Sequence, residues 1–295
     1  MASTPVFPTQ TERGTYRSSR KVQARVLEGV THVILILGAL TMIVPFLWMI
    51  STSLKDFGQV FIIPPSWIPN PIQWGNYPDS LNALPFARAY WNSTYIAVVV
   101  VASQLLTCSM AGYAFARIPF PFRNQLFIVF LATLMIPQQV TIIPTFIIMR
   151  NLGLIDNHLS LIIPSALFNA FGVFLLRQFI MGLPQELEES AVLDGANRLR
   201  IYWQIILPLI KAPLAALGIF SFLGQWNNLF TANIFLSSPD NYTVPLLLNQ
   251  FKGLYITDWT LMMAAATIAV VPVLLVYLVG QRYIIEGVAL TGIKR

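Results

Sequence analysis

The segment Val30–Ser53, VTHVILILGALTMIVPFLWMISTS, runs for twenty-four residues without an Asp, Glu, Lys or Arg. A helix of that length crosses the roughly 30 Å hydrocarbon core of a bilayer. It is longer than the apolar core of a secretory signal, about 7 to 15 residues, so it reads as a retained first span. The same test finds uncharged apolar runs at Asn92–Ala116, Gln125–Met149, Leu159–Leu176, Leu214–Leu236 and Thr260–Gln281. The fourth is the shortest, and Arg177 at its end can snorkel to lengthen it. The expected fold is an all-α polytopic membrane protein with six transmembrane helices.

Composition agrees. Of 295 residues, 56% are hydrophobic and only 10% charged, with a mean hydropathy of +0.67, whereas soluble domains carry about 25% charged residues. Disorder and nucleic-acid binding are excluded on the same balance, since the first needs low hydrophobicity and the second a soluble basic face. The net charge of +6 matters through its placement. With the N-terminus inside, Lys and Arg divide 14 against 4 in favour of the inner face, so both termini are expected in the cytoplasm. Residues 1–29 then form a cytoplasmic N-terminal tail and 30–295 the transmembrane domain, with external loops at 54–91 and 237–259 and one long inner loop at 181–213. Pro45, Pro137, Pro144, Pro164 and Pro272 fall inside spans, where a kink explains each as well as a hinge.

Several chemistries lack residues. A charge at a span centre costs about 2.5 to 3.5 kcal/mol on insertion scales, and the uncharged runs keep none, so proton-coupled transport through an intramembrane carboxylate has no candidate. Sodium held by backbone carbonyls stays open. Cys108 is the single cysteine and reads as packing. His32 and His158 sit at the ends of different spans, on opposite faces, and read as interface-facing side chains rather than metal ligands. No GxxxxGK[ST] phosphate loop is present, so no enzyme activity and no cofactor is expected in this chain, and energy must come from a partner.

The inner loop differs from everything around it. It holds Glu186, Glu188, Glu189 and Asp194, together with Arg198, Arg200 and Lys211. Pro184 near a first turn and acids at the positive helix end predict a short helix over Pro184–Asp194. Gly195 is suited to stop it, and a second helix follows from about Leu199 towards Pro208. Ser190 and Ala191 are small enough for another surface to approach closely. A helix lying on anionic lipid would be basic, so the acidic first half favours docking onto a basic protein surface.

Glu189-Ser190-Ala191, two residues, then Asp194-Gly195-Ala196, followed by Ile205, Leu207-Pro208 and Pro213, resembles the EAA loop of ABC-importer permeases, with Ser190 where the family usually has Ala. The likeness extends to Ser53-Leu54-Lys55, Asn76-Tyr77, Asn92-Ser93, Ala111–Arg117, Ile136-Pro137, Leu152-Gly153-Leu154, Trp226-Asn227-Asn228 and the Gly292-Ile293-Lys294 ending. It is similar to the maltose-type, MalG-like permeases of carbohydrate uptake.

The resemblance implies a type I ABC importer permease fold in the cell inner membrane. It implies a heterodimer with a second homologous permease, two ATP-binding subunits that hold ATP and Mg, and an external solute-binding protein that delivers a sugar-type substrate. Glu186, Glu189, Ser190, Ala191, Asp194, Gly195 and Ala196 would form the coupling helix, with Glu189 pairing to a basic residue of the ATPase. The segment Ser237–Asp258 would reach the binding protein, and the tail from Gly292 either touches the ATPases or frays. Gln225, Trp226, Asn227 and Asn228 are candidates for the substrate path, with Gln104 and Asn169 behind them. Interhelical packing explains the same residues and is the favoured reading of Trp226, Asn227 and Asn228. A stand-alone channel or secondary carrier is the alternative function. An intramembrane enzyme lacks an ionisable pair.

Overall fold

The computed structural model describes residues 10–167, 169–252 and 257–292, with side chains from residue 23 to 283 among them. Residues 1–9, and the 293–295 part of the C-terminal tail expected either to touch the ATPases or to fray, lie outside the described residues. So does the 253–256 part of the expected external segment. Among the described residues the chain is helical throughout, without a strand. In order come α1 (Gln10–Ser53), α2 (Asn76–Ala83), α3 (Phe86–Arg117), α4 (Arg123–Ala132), α5 (Gln138–Asn151), α6 (Leu159–Leu167), α7 (Ala170–Met181) and α8 (Glu186–Leu193). Then α9 (Arg198–Ile201) passes through a π-helical turn, Tyr202–Ile206, into α10 (Leu207–Leu209). The last four are α11 (Lys211–Trp226), α12 (Leu229–Phe235), α13 (Val244–Gln250) and α14 (Trp259–Gly292).

Four helical stretches are long and apolar enough to cross a membrane: Gln23–Ser53, Phe86–Arg117, Leu159–Met181 and Trp259–Tyr283. Two further pairs qualify together but are bent. Arg123–Met135 meets Gln138–Asn151 at 100°, and Arg198–Leu209 meets Lys211–Trp226 at 78°. The third apolar run of the sequence is therefore no continuous rod. Pro137 forces Ile136 into extended backbone (ψ 113°), because the proline ring clashes with a helical residue before it. The fourth and fifth runs break where an asparagine starts a new helix. Asn169 Oδ1 accepts from Gly172 N at 2.8 Å and Asn228 Oδ1 from Thr231 N at 3.2 Å, each satisfying an amide that the next helix leaves free.

α3 is the central element, packed against α6, α7 and α11. Gly112 and Gly172 set how closely α3 and α7 approach. A Cβ at Gly112 would stand 3.1 Å from Arg177 N, and one at Gly172 would stand 2.9 Å from Cys108 Sγ. The reading of Cys108 as packing holds: its side chain is buried in that contact. α1 lies at the periphery against α14 and leaves its apolar face uncovered by the chain, as expected of a helix whose solvent is lipid.

Candidate functional site

The α8–α10 segment is fastened to the C-terminal half of α3 by residues spaced four apart, which share one helix face. Ser109 and Tyr202 exchange a buried hydroxyl hydrogen bond of 2.7 Å. Tyr113 stacks obliquely on Tyr202 and donates to Glu188 Oε2 at 3.3 Å. Arg117 Nε lies 2.9 Å from Glu188 Oε1, and Arg198 Nη1 lies 3.6 Å from Oε2. The guanidinium of Arg117 also donates to the carbonyls of Ile180 and Leu183. The motif Ala111–Arg117 thus supplies a close-packing glycine towards α7 and a clasp on α8.

The sequence reading missed Glu188 and Arg117 as partners. The signal was present, because adjacent residues on a helix point about 100° apart. Glu188 and Glu189 therefore cannot share a face. Glu188 is buried, while Glu186, Leu187, Glu189, Ser190, Val192 and Asp194 are exposed. Ala191 is buried and Ala196 half-buried. Gly195 takes a left-handed φ of 79°, where an L side chain would be strained, and Ala196 N closes the turn on Ala191 O at 2.9 Å. The second helix runs on through the π turn to Leu209, and the chain turns at the buried Ile210.

Further along α3 a cavity of about 530 Å³ opens between α3, α5, α6, α7, α11 and α12. Gln104, Asn169, Gln225 and Asn228 line it, as do Gln138, Ser165 and Ser221, which the sequence reading did not single out. Gln104 Oε1 accepts from Asn169 Nδ2 at 2.7 Å and from the Ser221 hydroxyl, and its Nε2 donates to Ser165 O at 2.6 Å. Gln138 donates to Thr231 Oγ1 at 3.1 Å. Gln138, Asn169 and Asn228, the residues at the starts of α5, α7 and α12, all meet at this cavity. Trp226 points away from it. Its indole is buried against Phe222 and Tyr90 and donates to Ala269 O at 3.2 Å. Asn227 bonds its own helix at Leu223 O.

At the opposite end of α3, Asn92 and Ser93 hold the segment before α13. Asn92 Nδ2 donates to Asp240 O at 2.9 Å and Tyr242 O at 3.0 Å, and Ser93 Oγ accepts from Val244 N at 2.8 Å. His158 is not the interface-facing side chain expected. It is partly buried, bonded to Tyr95 Oη and, through Nε2, to Asn241 O at 2.8 Å.

Asp156, itself at a left-handed φ of 55°, accepts from the amides of Ser237 and Ser238, each at 2.9 Å, and from the Ser238 hydroxyl. Burial alone would push this carboxyl up. The bonds from Ser238, Ser237 and Asn241 outweigh it and hold Asp156 well below the usual carboxylate range.

Two motifs distant in sequence close on each other. Asn76 Nδ2 donates to Ser53 O at 2.9 Å and Lys55 O at 2.8 Å, and Tyr77 Oη bonds Ser53 Oγ at 2.9 Å. Asn76-Tyr77 therefore caps the end of α1 that Ser53-Leu54-Lys55 forms. Among the described residues no cluster of His, Cys, Asp or Glu side chains could hold a metal.

Residues 105–289 match the family model described as binding-protein-dependent transport system inner membrane component. The chain is 33% identical over 272 residues to the sn-glycerol-3-phosphate transport system permease protein UgpE of Yersinia enterocolitica, covering 89% of this chain and 96% of that one. It is 32% identical over 268 residues to the diacetylchitobiose uptake system permease protein NgcG of Streptomyces coelicolor, covering 90% and 88%. Its fold matches a chain in the crystal structure of a bacterial ABC transporter involved in the import of the acidic polysaccharide alginate, with a TM-score of 0.78, 25% identity and 95% and 99% coverage.

Proposed function

The chain belongs to the family of binding-protein-dependent transport system inner membrane components, and we propose that it works as the solute-conducting half of an ATP-driven importer for a sugar or related solute. It is a multi-pass, non-catalytic membrane subunit. In this reading α8 is the coupling helix, seated on one of two ATP-binding subunits that hold ATP and Mg. A second homologous permease completes the pore, and an external solute-binding protein delivers the substrate.

The observation that carries this reading is the division of labour between adjacent acids. Glu188 is buried and clasped to α3 by Arg117, leaving Glu189 uncovered on the outward side of α8 and the apolar Leu187 and Val192 exposed on its two flanks. A helix anchored on one side and open on the other is built to be pushed. Force applied at Glu189 passes through Glu188 and Arg117 to α3, whose Gln104 lines the cavity. Gln225 and Asn228 belong to the solute path, and Trp226 to the packing behind it. The six uncharged apolar runs support six spans, two of them bent, and the division of Lys and Arg supports both termini being cytoplasmic.

Purification in mild detergent with identification of the companion proteins tests the reading, followed by uptake in vesicles with and without ATP. Co-purifying ATP-binding subunits and strictly ATP-dependent uptake are expected. Uptake that survives removal of those subunits identifies a channel or secondary carrier instead.

A further inference from the structure

The lining of the cavity bears on what passes through it. Among the described residues none that line it is charged: its polar groups are amides and hydroxyls, interleaved with apolar side chains such as Phe171 and Phe220. Its volume of about 530 Å³ lies within the range of small-molecule sites, about 300 to 1,000 Å³.

The internal hydrogen bonds show which groups are spent. Gln104 has both Oε1 lone pairs and one Nε2 hydrogen engaged by Asn169, Ser221 and Ser165 O, and so serves mainly as framework. Among the described residues no hydrogen bond engages the Gln225 amide or Ser165 Oγ, Asn228 Nδ2 donates none, and Gln138 Oε1 accepts none, although each residue lines the cavity. These four carry neutral donors and acceptors of both kinds, which suit hydroxyl groups that both donate and accept.

An anion would have to be desolvated here without a counter-charge from this subunit, which buried sites avoid. Helix ends do not supply one. α7 and α12 begin at the cavity, but α6 and α11 end there, so free carbonyls offset free amides, and the Asn169 and Asn228 side chains already take one amide each. The start of α5 at Gln138 contributes one partial positive pole, a fraction of a full charge.

We propose that the solute carried by this subunit is an uncharged, polyhydroxylated molecule, a neutral saccharide or polyol rather than a phosphate ester or a uronate, and that Gln138, Ser165, Gln225 and Asn228 recognise its hydroxyls. The proposal rests on the importer reading and narrows it, excluding the charged classes that two of the matched proteins are named for.

The test uses the complete transporter in ATP-loaded proteoliposomes with its binding protein. The vesicles are offered a mixture of neutral mono-, di- and oligosaccharides, polyols, sn-glycerol 3-phosphate and oligouronates, and mass spectrometry reads what accumulates. Expected is ATP-dependent accumulation of neutral members alone, reduced about tenfold in each of the Gln225→Ala and Asn228→Ala transporters. Asn82→Ala, exposed on α2 and away from the cavity, controls for general damage and retains uptake. ATP-dependent accumulation of the phosphate or the uronates overturns the proposal, and so does neutral uptake unchanged in both cavity variants. Accumulation of nothing above ATP-free vesicles, or equal uptake without ATP, refutes the importer reading itself.

Discussion

Glu188 and Arg117 lie 2.9 Å apart with only 7% of either side chain exposed, joining α8 to the end of α3. Removing one partner leaves Glu188 with only Tyr113 and the more distant Arg198, or Arg117 with only carbonyl acceptors, at a cost of up to about 3 to 5 kcal/mol. Glu188→Gln and Arg117→Leu are each expected to lower the thermal unfolding midpoint in detergent by several degrees. The double variant should be less destabilised than the sum of the two. Additive losses would show that the residues do not act as a pair.

Glu189, one position on, is expected to behave in the opposite way. Glu189→Lys leaves membrane insertion and the unfolding midpoint unchanged but removes a charge-assisted contact of about 1.5 to 3 kcal/mol with the partner. Pull-down of the ATP-binding subunits should weaken at least tenfold, and transport should disappear. Unchanged uptake in that variant would rule out the docking role.

The α3–α7 contact predicts a size effect. Gly172→Ala sets a methyl 2.9 Å from Cys108 Sγ and 3.0 Å from the Leu217 side chain, an overpacking expected to cost about 1 to 3 kcal/mol. Adding Cys108→Ala removes the sulfur and should recover part of the loss. Unfolding midpoints of the four proteins in the cycle measure it.

The clamp at Asp156 predicts a pH dependence whose sign follows from its depressed pKa. Because the folded value lies below the unfolded one of about 4, ionised Asp156 contributes its full stabilisation above that pH, and the contribution is lost only as pH falls through the depressed value. Hydrogen exchange of the Ser237–Asn241 amides should therefore be flat from pH 8 to pH 5 after correction for intrinsic rates. Asp156→Asn should raise it across that whole range. Loss of protection already near pH 6 in the wild type would contradict the assignment.

Asn76→Ala removes two hydrogen bonds to the end of α1, each worth about 0.5 to 1.5 kcal/mol. Proteolysis between Asp56 and Trp74 should quicken accordingly, while Asn82→Ala on the same helix should leave it unaltered.

The apolar runs were legible because crossing a bilayer imposes a length and forbids charge, both visible in a linear sequence. The short inner helix and its stop at Gly195 were legible for a similar reason: local charge and a residue suited to left-handed backbone. The breaks were not. An asparagine in an apolar run serves equally as a cap or as a ligand, and Asn169 and Asn228 are both caps and cavity residues. Pairings across the chain left no linear trace either. Nothing near Asn76 announces that its amide ends on Ser53 O, and nothing near His158 announces Tyr95. Glu188 stayed hidden behind Glu189 because a motif names positions without saying which side of the helix each one takes.

α3 runs its 32 residues without a joint, about 48 Å, while its neighbours around the cavity are broken near Pro137, Asn169 and Asn228. A tilt imposed at Arg117 must then appear at Asn92 in the same instant, as on a see-saw. In the importer reading proposed above, one mouth then shuts as the other gapes without any timing device.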